Sequence, residues 1–187
     1  MHTIKAIETR YNGYRFRSRL EARWAVFFGH AQIKYEYELE GFALPSGAAY
    51  LPDFYLPDFN LYVEIKPSER IKLQELRKIF EFSLVGDNHL LLIVGTPTQE
   101  NMFLINRRHT IILEEFEGEV GDSGAEEDVV ALVFNQLRKA ALVVFGNTPL
   151  NKNDEWVLIY REAPGYPLIN SALASAKEAQ FEHGESA

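Results

Sequence analysis

Cysteine is absent from the 187 residues of this chain. Its absence excludes disulfide bonds, zinc–thiolate sites, iron–sulfur clusters and a cysteine nucleophile. It also favours a reducing compartment.

The five histidines show no HExxH spacing, no glycine-rich loop ends in Gly-Lys-Ser or Gly-Lys-Thr, and no GxSxG elbow occurs. Zinc-peptidase, P-loop and serine-hydrolase chemistry are therefore not predicted.

Long hydrophobic runs are missing as well. The longest apolar stretch, Val129–Phe145, is interrupted by Asn135, Gln136, Arg138 and Lys139, whereas a membrane span needs ~20 predominantly apolar residues. The first 13 residues contain no apolar core of signal-peptide length. We expect a soluble, cytoplasmic protein with no membrane contact. The length and the 47% hydrophobic content predict a single domain over residues 1–187.

The net charge is −8, which by itself argues against nucleic-acid binding, but the charges are unevenly distributed. Five arginines and one acidic residue lie between Arg10 and Arg23, and five basic and two acidic residues lie between Lys66 and Lys78. Eight acidic residues and no basic one lie between Glu114 and Asp128. Phosphate recognition depends on the local field, so the two basic segments remain candidate contacts, although solvated faces are the simpler interpretation.

Hydrophobic periodicity predicts a mixed β-sheet flanked by helices, an α/β (α+β) domain. Ser18 and Glu21 have the spacing of a capping box, which predicts a helix that starts at Ser18. Tyr11–Tyr14 and Pro57–Asn60 are predicted turns. Predicted strands are Ile33–Leu39, Ala49–Tyr55, Leu61–Lys66, Leu90–Val94, Thr110–Phe116 and Trp156–Tyr160; further predicted helices are Arg70–Leu84, Val129–Lys139 and Ser171–Phe181.

Most of the candidate catalytic residues lie in one predicted hairpin. If Pro57–Asn60 closes it so that Leu56 pairs with Leu61, then Asp53 lies opposite Glu64. Side chains alternate along a strand, so Asp53, Glu64 and Lys66 share one face. Two carboxylates about 5 Å apart repel by roughly 3 kcal/mol at an effective dielectric of about 20. A proton or a cation must relieve that repulsion, and oxygen ligands of this kind suit Mg²⁺ or Mn²⁺.

Pro52-Asp53, ten intervening residues and then Glu64-Ile65-Lys66 resemble the motif of the PD-(D/E)XK nuclease superfamily. Glu21 is similar to the upstream helical glutamate that is common there. The resemblance covers roughly residues 10–84 and implies a restriction-endonuclease-like core, a central mixed sheet flanked by helices in the order α-β-β-β-α-β. This core would span about residues 10–116, with a C-terminal elaboration at about 117–187. The resemblance also implies that Asp53 and Glu64 bind the metal, that Lys66 is the catalytic lysine, and that Glu21 is an auxiliary ligand.

Each of these residues also has a purely structural interpretation. Glu21 completes the capping box, Asp53 suits a strand end that binds backbone amides, and Glu64 with Lys66 suits the exposed face of an edge strand. Asp58 is a second Pro-Asp aspartate, but it falls in the predicted turn. Gln74 is either a functional helix residue, as in some relatives of the superfamily, or a solvated one. The candidate phosphate contacts are Arg15, Arg17, Arg19 and Arg23. The structural alternative is that these arginines pair with Glu36, Glu38 and Glu40.

The predicted function is a metal-dependent endonuclease, a hydrolase of phosphodiester bonds in DNA that uses Mg²⁺ or Mn²⁺. Two alternatives remain: a non-catalytic nucleic-acid-binding or protein-interaction module on the same fold, and an RNA-directed nuclease. A homodimer is also open, with the segment from Met102 onward as its interface.

Overall fold

The computed structural model describes residues 6–86, 88–97, 102–105, 125–140 and 167–181. The strands in this part of the chain are β1 (Thr9–Tyr11), β2 (Tyr14–Phe16), β3 (Glu36–Tyr37), β4 (Phe42–Ala43), β5 (Ala49–Tyr50), β6 (Phe54–Leu56), β7 (Leu61–Lys66), β8 (Leu90–Val94) and β9 (Met102–Ile105). The helices are α1 (Arg19–His30), α2 (Leu73–Phe82), α3 (Glu126–Ala140) and α4 (Pro167–Glu178), and a 3₁₀ turn covers Pro57–Phe59.

Five strands form one mixed sheet in the order β3-β6-β7-β8-β9. The central strand, β7, is antiparallel to β6 and parallel to β8, and β9 is antiparallel to β8. The parallel pair needs a crossover connection, which α2 provides. β1 with β2, and β4 with β5, form separate two-stranded sheets. The class is therefore mixed α+β, as the sequence predicted.

The two faces of the large sheet carry different helices. Val63 and Ile65 of β7 belong to the core cluster that includes α1 and α4, whereas Tyr62 belongs to the cluster that includes α2 and α3. Because side chains alternate along β7, Glu64 and Lys66 lie on the same side as Tyr62, and Lys66 contacts Glu75 of α2. Glu64 and Lys66 thus lie on the face of the large sheet that α2 covers.

Several local predictions are confirmed. Ser18 caps α1, and its hydroxyl accepts a hydrogen bond from the Glu21 amide. The predicted turn at Tyr11–Tyr14 joins β1 to β2 through Asn12 and Gly13, whose φ angles of 50° and 81° are those of a type I′ turn. Leu56 pairs with Leu61, the register that the predicted hairpin required. β8 has the predicted bounds.

Two predicted strands were too long. Of Ile33–Leu39 only Glu36–Tyr37 is a strand, since Glu38 has a φ of 48°, which extended backbone does not allow. Ala49–Tyr55 is divided between β5 and β6, with Pro52, which has no amide hydrogen for a ladder, in the interruption. The division places Tyr50 in the β4–β5 sheet, whereas Asp53 directly precedes β6 of the large sheet.

The remaining elements differ mainly at their ends. α2 is shorter than predicted, and α3 begins three residues earlier, with three acidic residues in its first turn where the helix dipole favours them. α4 begins four residues earlier, at Pro167, and ends before Phe181. β9 was not predicted. The predicted strands Thr110–Phe116 and Trp156–Tyr160 lie outside the described residues. Within the described part of the chain, no helix has the length and apolar character needed to cross a membrane.

Candidate active site

The β6–β7 hairpin brings Asp53 and Glu64 together. The paired residues run from Leu56–Leu61 to Phe54–Val63, so the next position along β6 is Asp53 and its neighbour on β7 is Glu64. Asp53 Oδ2 accepts a hydrogen bond of 2.8 Å from the amide of Ile65, which anchors the carboxylate to β7. Asp53 is 5% exposed and Glu64 is 6% exposed. Two carboxylates are therefore buried side by side, as the register predicted.

Glu64 and Lys66 do not lie on an edge strand. β7 is hydrogen-bonded to β6 on one side and to β8 on the other, which removes the edge-strand interpretation. Lys66 Nζ lies 2.9 Å from Glu64 Oε1 and 3.4 Å from Glu75 Oε2 of α2. The ammonium group is thus held beside the carboxylate pair by two acidic side chains.

The electrostatics of the pair are unfavourable. Burial raises the pKa of Asp53 well above its usual range, and the charges of Glu64 and Glu21 raise it further, against the opposing effects of the Ile65 amide and Arg17. Burial alone would lower the pKa of Lys66, but its contacts with Glu64 and Glu75 outweigh burial and raise it. Lys66 beside Glu64 and Arg17 beside Asp53 therefore compensate the charge of Asp53 incompletely, and additional positive charge would be favourable there.

Glu21 serves as a hydrogen-bond acceptor at the start of α1. Its Oε2 accepts from the Arg17 amide at 3.1 Å and from the Tyr37 hydroxyl at 2.5 Å, and its Oε1 accepts from the Ser18 hydroxyl at 2.6 Å. Glu21 is 8% exposed and close enough to Asp53 to raise the pKa of that carboxyl. The structural interpretation of Glu21 thus has direct support, and its role as an auxiliary ligand stays a prediction.

The capping box gives the first testable prediction. Ser18→Ala is expected to lower the free energy of unfolding by about 1 kcal/mol, the usual effect of losing a serine N-cap, because the Glu21 amide and Glu21 Oε1 both lose a partner. Urea denaturation would measure it. Ser68→Ala is the control, since Ser68 accepts from the Arg70 amide outside any helix cap. Equal effects of the two substitutions would contradict a capping role.

The four candidate phosphate-binding arginines have different surroundings. The Arg17 guanidinium lies 2.5 Å from Glu38 and 3.2 Å from Asp53, so it is a cation at the candidate site itself. Arg15 is exposed and pairs with Glu8. Arg19 and Arg23 are half-buried on α1. Pairing with the acidic residues that follow α1, the structural alternative, thus occurs for Arg17 through Glu38.

Two other residues considered from the sequence, Asp58 and Gln74, also have defined surroundings. Asp58 is exposed in the 3₁₀ turn and lies 3.3 Å from Lys34, away from the buried pair. Gln74 is exposed at the start of α2. Tyr55 and Tyr62 are paired across β6 and β7, and their rings pack against each other with centroids 4.8 Å apart.

Sequence reasoning missed two residues of the site, Tyr50 and Glu75. The Tyr50 hydroxyl donates a hydrogen bond of 2.9 Å to Glu64 Oε2, and burial, then the nearby Glu64 charge, raises the pKa of Tyr50 well above its usual range. Tyr50 belongs to β5. The sequence predicted one continuous strand over Ala49–Tyr55, so the separation of β5 from β6 was not expected. Glu75 follows Lys66 by nine residues, and its contact depends on where α2 packs, so no local pattern predicts it.

The donor set fits a hard divalent cation in part. Mg²⁺ is usually bound through one or two carboxylates together with waters and substrate oxygens, and Asp53 and Glu64 supply two adjacent carboxylates. Among the described residues, no group of three or more histidine, aspartate or glutamate side chains is close enough to hold a metal ion. Glu21 is close enough to Asp53 to raise the pKa of that carboxyl, but its oxygens accept hydrogen bonds from Ser18, Arg17 and Tyr37.

No protein-family model, curated protein or solved structure matches this chain.

Proposed function

We propose that this protein is a metal-dependent endonuclease that hydrolyses phosphodiester bonds in DNA. The observation that carries the proposal is the buried pairing of Asp53 with Glu64 beside the ammonium group of Lys66. Buried like charges are costly, and clusters that combine such charges with perturbed pKa values occur preferentially at functional sites. If this pair of carboxylates had only a structural role, it would destabilise the fold and no functional benefit would offset that cost.

The chain order of the elements supports the same proposal. α1, β3, β6, β7, α2 and β8 follow one another as helix, three strands, helix and strand, with the β4–β5 hairpin and the 3₁₀ turn at Pro57–Phe59 between them. This is the α-β-β-β-α-β order implied by the resemblance to the PD-(D/E)XK superfamily. The Asp-Glu-Lys motif falls on β7 and on the residue that precedes β6, so motif and fold support a restriction-endonuclease-like core together.

Asp53 and Glu64 are the residues that would hold Mg²⁺ or Mn²⁺. When bound, the ion supplies Lewis acidity and positive charge beside the scissile phosphate. The side chains of this chain then have separate tasks. Asp53 is oriented by the Ile65 amide, and Glu64 is oriented by Lys66 and Tyr50. A fixed ligand geometry of this kind lowers the reorganisation needed during the reaction.

Lys66 is the candidate for stabilising negative charge as the phosphodiester bond breaks. Its contacts with Glu64 and Glu75 keep the ammonium protonated, since they raise the pKa of Lys66 above its usual value. A protonated, half-buried amine is suited to donate hydrogen bonds to a phosphate oxygen or to an attacking water. Deprotonation of Lys66 to act as a general base is correspondingly disfavoured.

Arg15 tests the proposed contact with the phosphate backbone. It is exposed at the β1–β2 hairpin, two residues before Arg17, which reaches the site. Arg15→Gln is expected to weaken DNA binding equally for all sequences and to reduce the slope of log K against log salt by about 0.9. Binding titrations over a range of salt concentrations would measure this. Lys177→Gln on α4 is the control, and equal slopes for both variants would contradict the contact.

The proposal is tested by offering one preparation of the wild-type protein duplex, single-stranded and branched DNA, together with RNA, in Mg²⁺, Mn²⁺ or EDTA. Cleavage of DNA in either metal and none in EDTA is expected. Cleavage confined to RNA would replace the proposed substrate class. Binding without cleavage of any substrate would overturn the enzymatic proposal in favour of a non-catalytic nucleic-acid-binding module.

A further inference from the structure

Glu64 is held on both of its oxygens, but by groups of different character. Lys66 Nζ lies 2.9 Å from Oε1, and the Tyr50 hydroxyl lies 2.9 Å from Oε2. Lys66 is the motif lysine and is itself a candidate for contact with substrate. Tyr50 is buried and neutral, and its hydroxyl lies against the Glu64 carboxylate. The two donors together fix the plane in which the carboxylate lies.

The β4–β5 hairpin delivers this hydroxyl. Tyr50 pairs with Phe42 across the hairpin, and its ring packs on Phe82 of α2 with centroids 5.2 Å apart. The Ser46 hydroxyl, in the loop of the hairpin, donates a 2.7 Å hydrogen bond to Glu81, which fastens the loop to α2 as well. The hairpin is thus attached to the helix at two points, and Tyr50 is held by packing on one side and by Glu64 on the other.

From this arrangement we infer that Tyr50 is a positioning residue that orients Glu64 for metal binding and turnover. The inference rests on the proposed function and extends it to a residue outside the Asp-Glu-Lys motif. Hydrogen bonds to a metal ligand fix the orientation of that ligand, and their loss typically costs 10–100-fold in metal affinity or activity. The β4–β5 hairpin is not part of the α-β-β-β-α-β order. In this inference its role is to support the site.

Tyr62 offers a matched control. Its ring packs on the same Phe82, with centroids 5.2 Å apart, and its hydroxyl also donates to a glutamate, at 2.8 Å. That glutamate is Glu40, which is exposed. Tyr50→Phe and Tyr62→Phe therefore each remove one hydroxyl next to α2 and keep the ring. The loss of one hydrogen bond removes only a small part of the free energy of unfolding of a domain, so both variants are expected to fold.

The experiment measures Mn²⁺ affinity by calorimetry for wild type, Tyr50→Phe and Tyr62→Phe, and then kcat and KM for DNA cleavage. Tyr50→Phe is expected to bind Mn²⁺ ~10-fold or more weakly and to lower kcat with KM for DNA unchanged, while Tyr62→Phe matches wild type. If wild type binds Mn²⁺ and the two variants bind Mn²⁺ with equal affinity, this inference alone is overturned. A wild type that binds no Mn²⁺ would overturn the proposed function together with the inference.

A thermodynamic cycle provides a second readout that does not depend on activity. If the Tyr50 hydroxyl acts through Glu64, the effect of Tyr50→Phe on the free energy of unfolding in EDTA should change when Glu64 is already Gln. Tyr62→Phe should show the same effect in both backgrounds. Additive effects of Tyr50→Phe and Glu64→Gln would contradict the coupling on which the inference depends.

Discussion

Glu64→Gln is expected to reduce metal-dependent DNA cleavage by at least about 100-fold. The metal contributes several kcal/mol of transition-state stabilisation, and each 1.36 kcal/mol corresponds to a factor of ten in rate. Glutamine keeps the shape of the side chain and leaves an oxygen to accept from Lys66. The Tyr50 hydroxyl is able to accept a hydrogen bond from the new amide. The substitution therefore removes the negative charge and changes the packing little.

DNA binding separates a catalytic role of Glu64 from a structural one. Glu64→Gln is expected to bind DNA as wild type does, since loss of a buried negative charge adds no repulsion for phosphate. Glu36→Gln is the control, because Glu36 is an exposed acidic residue on β3. Cleavage should be unchanged in Glu36→Gln. A Glu64→Gln variant that folds and cleaves at more than a tenth of the wild-type rate would exclude Glu64 from the metal site.

Asp53→Asn is expected to abolish cleavage and, in EDTA, to raise the free energy of unfolding by about 1 kcal/mol or more. Roughly 3 kcal/mol of repulsion between adjacent carboxylates at an effective dielectric of about 20 is removed by the substitution. The ion pair with Arg17, whose guanidinium is largely exposed, is lost in exchange, and pairs of that kind contribute ~0–1 kcal/mol. The asparagine oxygen continues to accept from the Ile65 amide.

The gain in stability should depend on pH. The pKa of Asp53 is raised in the folded state, by burial first and then by Glu64. Its stabilising contribution is therefore fully present below the unfolded-state pKa of about 3.9 and is lost as the pH rises through the folded-state value. Denaturation in EDTA at pH 5 and pH 8 should show a larger advantage of Asp53→Asn over wild type at pH 8.

Divalent metal should reverse that order. A ligand that binds only the folded state adds about 2.7 kcal/mol at 100 times its Kd, so Mn²⁺ should stabilise wild type and leave Asp53→Asn unchanged. Asp58→Asn serves as the control, since Asp58 lies in the exposed turn. If Asp53→Asn destabilised the metal-free protein, Asp53 would be a structural strand-end residue, the alternative that the sequence left open.

The sequence was sufficient to predict the geometry that brings Asp53 and Glu64 together because its determinants are local. The Pro57–Asn60 turn sets the register, and strict alternation along β7 then decides which residues share a face. Neither inference requires knowledge of the rest of the fold. The capping box of Ser18 and Glu21 is local in the same way, and its hydrogen bonds are present.

The surroundings of the site depend on long-range packing, which local patterns do not encode. Tyr50 and Glu75 contact the motif residues only because β5 and α2 pack against the central strand. The position of Glu21 illustrates the converse. Its helix was predicted correctly, but the hydrogen bond that Glu21 accepts from Tyr37 depends on where β3 lies beside α1, which no local pattern predicts. β9 was missed because a short apolar run suits a strand or a buried helix equally well.

The most direct test of the central claim is plasmid cleavage during titration of Mn²⁺ into EDTA-treated wild-type protein, with Glu64→Gln treated in parallel. The account predicts that wild type cleaves once free Mn²⁺ appears, and that the variant, folded and bound to the same DNA, stays at least about 100-fold slower. Cleavage by wild type that persists in EDTA, or equal cleavage by both proteins, would contradict a metal-dependent site built on Asp53, Glu64 and Lys66.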